Sequence, residues 1–126
     1  MILSIMKYTF QLLSDLHLEV GTYHNIKAKA PYLLLAGDIG YPESRIFQDF
    51  IKQCSKKFDK VFYTAGNHEY YNSKKSIDEI DAIIMDVTSQ YSNVHYLQNS
   101  YYDLEDLRIV GSTLWSDVKE SDSMIK

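Results

Sequence analysis

An α/β domain built on a largely parallel sheet is what these 126 residues predict, and three observations carry the prediction. Short apolar runs alternate with stretches of helical periodicity, in the order β, β, α, β, α, β and then one or two more strands. The run from Pro31 to Ala36 is apolar throughout, as in a strand buried on both faces. Three strand ends carry compact groups of Gly, Asp, Asn and His, where an α/β sheet gathers its ligands.

Element by element, Met1–Met6 is an apolar hexapeptide, too short for a membrane helix and lacking the basic start and small-residue cleavage site of a secretory signal. Its first five residues read as an N-terminal extension, with the first strand beginning near Lys7 and Met6 as an alternative initiator. Tyr8–Leu13 is that strand, and it breaks at Ser14-Asp15. A polar loop leads to the second strand, Pro31–Ala36. Pro42, a favoured first-turn residue, opens a helix whose Ile46, Phe47, Phe50, Ile51 and Cys54 share one face. Lys60–Ala65 is the third strand. Ser76 and Glu79 form a capping-box pair at the start of a second helix, with Ile77, Ile80, Ile83, Ile84, Val87 and Tyr91 on its buried face. Val94–Leu97 and Leu107–Leu114 read as further strands, with Asn99 and Ser100 in a turn between them. The polar, aperiodic residues 116–126 read as a frayed tail.

Composition narrows the class. A chain of 14.7 kDa makes one domain, residues 1–126, and at this size buries roughly 65–70% of its unfolded surface. With 45% hydrophobic and 24% charged residues, five Gly and two Pro, it is neither disordered nor collagenous. A net charge of −4 gives no pull toward nucleic acid or an anionic membrane. The single cysteine, Cys54, cannot form an internal disulfide, which points to a reducing, cytoplasmic location.

The first strand end gives Asp15-Leu16-His17, the second Gly37-Asp38, the third Gly66-Asn67-His68-Glu69. Asp15 and His17 stand two apart, which in extended chain sends both side chains off one face. Gly37 and Gly66 let the backbone turn sharply off each strand. Carboxylate, imidazole and amide oxygen together suit borderline-hard divalent ions, Mn, Fe or Zn, rather than a thiolate site.

Ser14-Asp15-Leu16-His17-Leu18-Glu19, Leu35-Ala36-Gly37-Asp38 and Ala65-Gly66-Asn67-His68-Glu69-Tyr70-Tyr71 together resemble the calcineurin-like metallophosphoesterases, whose motifs run D-x-H, GD and GNH(D/E). Gly111–Trp115 is similar to a later strand of that family. The resemblance implies a β-sandwich flanked by helices, here incomplete, with the first sheet mostly present. It implies two divalent ions: Asp15 and His17 on the first, Asp38 bridging, Asn67 on the second through its amide oxygen. His68 would sit over the substrate phosphate and either protonate the leaving oxygen or steady the transition state. Glu69 would orient backbone or His68. Tyr70 and Tyr71 stand beside the pocket mouth or pack the loop.

The family pattern continues to a lone His and then Gly-His-x-His, and this chain has no histidine beyond His95. Its histidines are His17, His24, His68 and His95, so the second ion would keep only Asp38 and Asn67. His24 and His95 are weak substitutes, one in a loop and one on a strand. The chain therefore reads as the N-terminal part of such an enzyme. It would hydrolyse phosphomonoesters or phosphodiesters with weakened activity, or serve as a catalytically inactive scaffold. Open sheet surface would be covered by a second copy or a partner chain.

Overall fold

A computed structural model describes residues 1–18, 25–71 and 74–114. His24, Glu19, Trp115 and the expected 116–126 tail lie outside the described residues. Seven strands and two α-helices are described: β1 (Ile2–Ile5), β2 (Tyr8–Leu13), β3 (Tyr32–Ala36), α1 (Arg45–Lys57), β4 (Lys60–Thr64), α2 (Ile77–Thr88), β5 (Val94–Tyr96), β6 (Ser100–Leu104) and β7 (Leu107–Gly111). A one-turn 3₁₀ helix, Asn67–Tyr70, follows β4. The first five strands form one sheet in the order β1-β2-β3-β4-β5, and β6 and β7 form a separate antiparallel hairpin. β2 through β5 are parallel; β1 alone runs antiparallel, on β2.

Strand alternation divides the core in two. Leu33, Leu35, Val61 and Tyr63 face α1 and α2, where Phe47, Phe50 and Ile51 from α1 meet Ile80, Ile84 and Val87 from α2. Phe10, Leu34 and Phe62 point the other way and pack against Leu104, Leu107 and Ile109 of the hairpin. The layers are therefore helices, five-stranded sheet and hairpin, an α/β arrangement consistent with part of a helix-flanked two-sheet fold. At 160 Å³, an apolar cleft lies between sheet and hairpin, bordered by Leu12, Leu34, Phe62, Leu97 and Ile109.

Polar side chains fasten the irregular parts. Gln11 donates from Nε2 to the Lys27 carbonyl (3.1 Å) and accepts from the Lys29 N–H (2.8 Å), laying that loop along β2. Asn93 donates to the Ser55 and Phe58 carbonyls, satisfying groups that the end of α1 leaves open. Ser76 and Glu79 make both bonds of the expected capping box. Cys54 is buried in the helix-side core, where burial pushes its thiol up to about 12.

Several local readings are corrected. Residues 2–5 are not a loose extension but a strand, turned back onto β2 by Met6 at φ 57°. All four are exposed, so no alternation marked them. Pro42 precedes α1 instead of opening it: the N-cap is Ser44, whose Oγ accepts from the Phe47 N–H at 3.2 Å. Ile77, placed on the buried face of α2, is exposed. Ser100 does not sit in a turn but begins β6; the left-handed residue there is Asn99.

Candidate metal centre

β2, β3 and β4 are adjacent and parallel, so their carboxyl ends open side by side. Beyond β2 the backbone is laid along the segment after β3. The Asp15 N–H donates to the Gly37 carbonyl (3.0 Å), the His17 N–H to Asp38 (3.0 Å) and the Leu18 N–H to Ile39 (2.7 Å). Leu18, fully buried, anchors the far end of this loop in the core.

The way Asp15 and His17 converge differs from the sequence expectation. Neither is extended: φ is 56° at Asp15, 50° at His17 and 53° at Asp38. Left-handed backbone at a non-glycine residue costs of order 1–3 kcal/mol and persists only where the surroundings impose it. Here the cross-loop hydrogen bonds impose it, and the outcome is three side chains aimed at one point. Ligand atoms of Asp15, His17 and Asp38 all lie within 4.8 Å of one another, and His17 Nε2 is 3.9 Å from Asp15 Oδ1.

The third segment is held against the second by glycine. Gly37 has φ 85° and a Cβ there would stand 2.8 Å from the Gly66 nitrogen. From Gly66 the chain enters the 3₁₀ turn, whose His68 N–H donates to Asp38 Oδ1 at 3.0 Å. The His68 ring meets His17 edge-on, with centroids 4.9 Å apart, and lies 4.7 Å from the Tyr71 ring. Asn67 donates from Nδ2 to the Tyr71 hydroxyl (2.8 Å), which commits the amide nitrogen and leaves the oxygen as the donor the site can use.

Glu69 points inward, not to the rim. Its carboxylate accepts from the Ile39 N–H and the Gly66 N–H, each at 3.3 Å, and from the Tyr63 hydroxyl. Burial pushes its carboxyl up to about 7, against the pull of those hydrogen bonds. Tyr70 turns away from the cluster, its hydroxyl bonded to Asp81. Tyr71, one residue on, is the aromatic group that touches Asn67 and His68.

Beyond this group, His95 lies on the hairpin side of the sheet, stacked on Phe62 (5.5 Å) and against Tyr102 (4.3 Å). It makes no part of the cluster. Lys75 pairs with Glu43 at 2.9 Å.

The donor set of two carboxylates, an imidazole and an amide oxygen fits a borderline-hard divalent cation. Asp15, His17 and Asp38 would hold one ion; a second would draw on Asp38 and Asn67. A cleft of about 280 Å³ opens on that second side, bordered by Asp38, Asn67, Thr64, Ser112 and Leu114.

Comparison with known proteins agrees with this geometry. The family model for calcineurin-like phosphoesterases matches residues 8–122. An uncharacterized protein of Acanthamoeba polyphaga mimivirus is 41% identical over 95 residues, a stretch covering 73% of this chain and 34% of that relative. The chain thus spans about a third of the length of the curated relative it matches.

Proposed function

The chain belongs to the calcineurin-like phosphoesterases, and from that membership we propose that it takes part in metal-dependent hydrolysis of phosphate esters at the Asp15–His17–Asp38 cluster. The observation that carries the reading is the approach of those three ligand atoms within 4.8 Å, at the ends of two neighbouring parallel strands. Two bound divalent ions, Mn, Fe or Zn, would supply Lewis-acid neutralisation of the phosphoryl oxygens and a nucleophile at neutral pH.

The protein's own residues do the rest. Asp15 and His17 would hold one ion, Asp38 would contribute to both, and Asn67 would hold the other through its amide oxygen. The bond from the His68 backbone N–H orients the Asp38 carboxylate and ties the turn that carries the imidazole to it. His68, packed between His17 and Tyr71, would either pass a proton to the leaving oxygen or steady the transition state. Glu69 keeps the turn in place through Gly66 and Ile39.

Activity of this chain is weak in this reading, because the Asn67 side has only two family ligands among the described residues. The same fact favours a second reading, an inactive scaffold that keeps the fold. The full chain in Mn²⁺, assayed on p-nitrophenyl phosphate and bis-p-nitrophenyl phosphate, separates the two. Turnover that Asp38→Asn and His68→Ala both abolish supports catalysis. An ion bound without turnover supports the scaffold, and no divalent ion bound at micromolar concentration removes the catalytic reading.

A partner belongs to the same proposal. Val110, exposed at 71%, borders the apolar cleft of the hairpin side. A second copy or another chain covering that flank would bury it. Sedimentation showing a stable, well-folded monomer would count against it. No helix among the described residues is long and apolar enough to cross a membrane. The lone buried thiol of Cys54 supports a cytoplasmic setting.

A further inference from the structure

We infer that Gln98 and Thr113 are positioning residues for Asn67 and His68, clamping both ends of the turn that carries them; this rests on the functional reading above. The clamp is a continuous set of hydrogen bonds between elements remote in sequence. At the entry to the turn, the Thr113 hydroxyl donates to the Ala65 carbonyl at 2.7 Å, a buried contact 48 residues apart in the chain. At the exit, the Tyr70 hydroxyl donates to Asp81 of α2 and accepts from Gln98 Nε2 at 2.9 Å.

Gln98 joins the two ends. Its Nε2 also donates to the Thr113 hydroxyl (3.0 Å), and its Oε1 accepts from the Thr113 N–H (3.1 Å). Both amide hydrogens and the amide oxygen are therefore engaged. Tyr96 of β5 adds a bond to the same Asp81 oxygen at 2.8 Å, fixing the acceptor on which the exit depends. Ala65 lies two residues before Asn67 and Tyr70 two after His68, so the clamp brackets both.

The arrangement answers a physical need. The turn is otherwise tied down by its own Glu69, whose carboxylate accepts from the Ile39 and Gly66 N–H groups, and by Asp38, which accepts from the His68 N–H. Without an opposing anchor, Asn67 and His68 would hinge about those contacts. The segment after β7 supplies that anchor, and it borders the same cleft through Ser112 and Leu114. A role for the segment after β7 follows: it sets the height of the Asn67 amide and the His68 ring over the cluster.

The test uses the full chain and two readouts, one independent of metal. Amide hydrogen exchange across 65–71 is compared with exchange in α1, and Mn²⁺ binding is titrated by electron paramagnetic resonance. Thr113→Val, which keeps the shape and removes the hydroxyl, is expected to speed exchange in the turn about tenfold more than in α1. It is also expected to weaken the more weakly held Mn²⁺ about tenfold while sparing the tighter one; Thr113→Ser restores both. Tyr70→Phe, which cuts only the exit, should show the same pattern confined to Glu69–Tyr71, and stands in if Thr113→Val fails to fold. Exchange raised equally in α1 and the turn, or not raised at all, overturns the inference. So does unchanged Mn²⁺ affinity in a variant whose turn has loosened. Localised loosening in a protein that takes up no Mn²⁺ even as wild type upholds the clamp and instead defeats the functional reading.

Discussion

A methyl group on Gly66 would lie 2.5 Å from the Asp38 backbone nitrogen and closer still to its carboxylate. The two segments after β3 and β4 are therefore in backbone contact at the cluster, and the absence of a side chain is what permits it. Gly66 has φ −89°, a value any residue adopts, so the demand for glycine here is one of space. Gly66→Ala should push Asp38 away from Asp15 and His17. Overpacking of this kind costs about 1–3 kcal/mol, and Mn²⁺ affinity should fall at least tenfold. Urea denaturation and Mn²⁺ titration check the two effects. Wild-type affinity in the variant would mean the strand ends are looser than this spacing implies.

Glu69 offers a test of the site's support. Its two oxygens serve three donors from Ile39, Gly66 and Tyr63, in a position only 1% exposed. Glu69→Gln keeps the volume and replaces one acceptor by a donor, so one of the three must go unmet. A buried unsatisfied donor costs about 1–3 kcal/mol, and that is the expected loss in urea denaturation. Glu69→Ala should cost more, since all three donors lose their acceptor and a cavity remains. Equal stability of wild type and Glu69→Gln would show that the carboxylate is not the acceptor these groups depend on.

Much of this was legible from residue order, for physical reasons. Asp15, Asp38 and Asn67 each follow an apolar run closely, and parallel neighbouring strands must bring such positions together. The capping box of α2 is a purely local signal and needs no tertiary knowledge. What could not be read depends on distant partners. The left-handed backbone at Asp15 and His17 comes from carbonyls more than twenty residues away, at Gly37 and Asp38. β1 escaped notice because a wholly exposed edge strand has no apolar period. Gln98 lies in no motif, and the resemblance around Gly111–Trp115 assigns Thr113 no contact; only the fold reveals that they meet Tyr70 and Ala65.

The start of α2 yields a prediction free of the metal question. The Ser76 hydroxyl accepts from the Glu79 N–H and the Glu79 carboxylate accepts from the Ser76 N–H, both at 3.1 Å. Those bonds to Ser76 hold the Glu79 carboxyl below its ordinary range. Ser76→Ala should cost about 0.5–2 kcal/mol at neutral pH. Because the folded value is depressed, the stabilisation from Glu79 is present above its unfolded value, near 4.3, and fades as pH falls through the folded one. The Ser76 N–H that meets the carboxylate is backbone and survives Ser76→Ala, so the pH-sensitive variant is Glu79→Ala: urea denaturation at pH 7 and at pH 3 should show a smaller penalty for it at the lower pH. A penalty that grew on acidification would contradict the capping role.

His95 carries the opposite kind of burden. Its ring is packed between Phe62 and Tyr102, and its Nε2 is buried with no hydrogen-bond partner among the described residues. Burial first, and the nearby Lys60 ammonium second, hold the imidazole below its ordinary value. Lys60 itself stands over the Tyr102 ring, so a proton on His95 would put two cations beside one hairpin contact. A depressed folded value means the neutral ring is favoured in the fold, and the unfolded chain binds the proton more readily. Stability on this account is complete above the unfolded value, near 6.5, and is lost as pH falls toward the folded one. His95→Phe keeps the stacking and removes both the unmet nitrogen and the charge. The variant should match or exceed wild type at pH 7.5, and its advantage should widen by pH 5 in urea denaturation followed at both values. Parallel curves for the two proteins would show that His95 takes up its proton equally in the folded and unfolded chain, contrary to a depressed folded value.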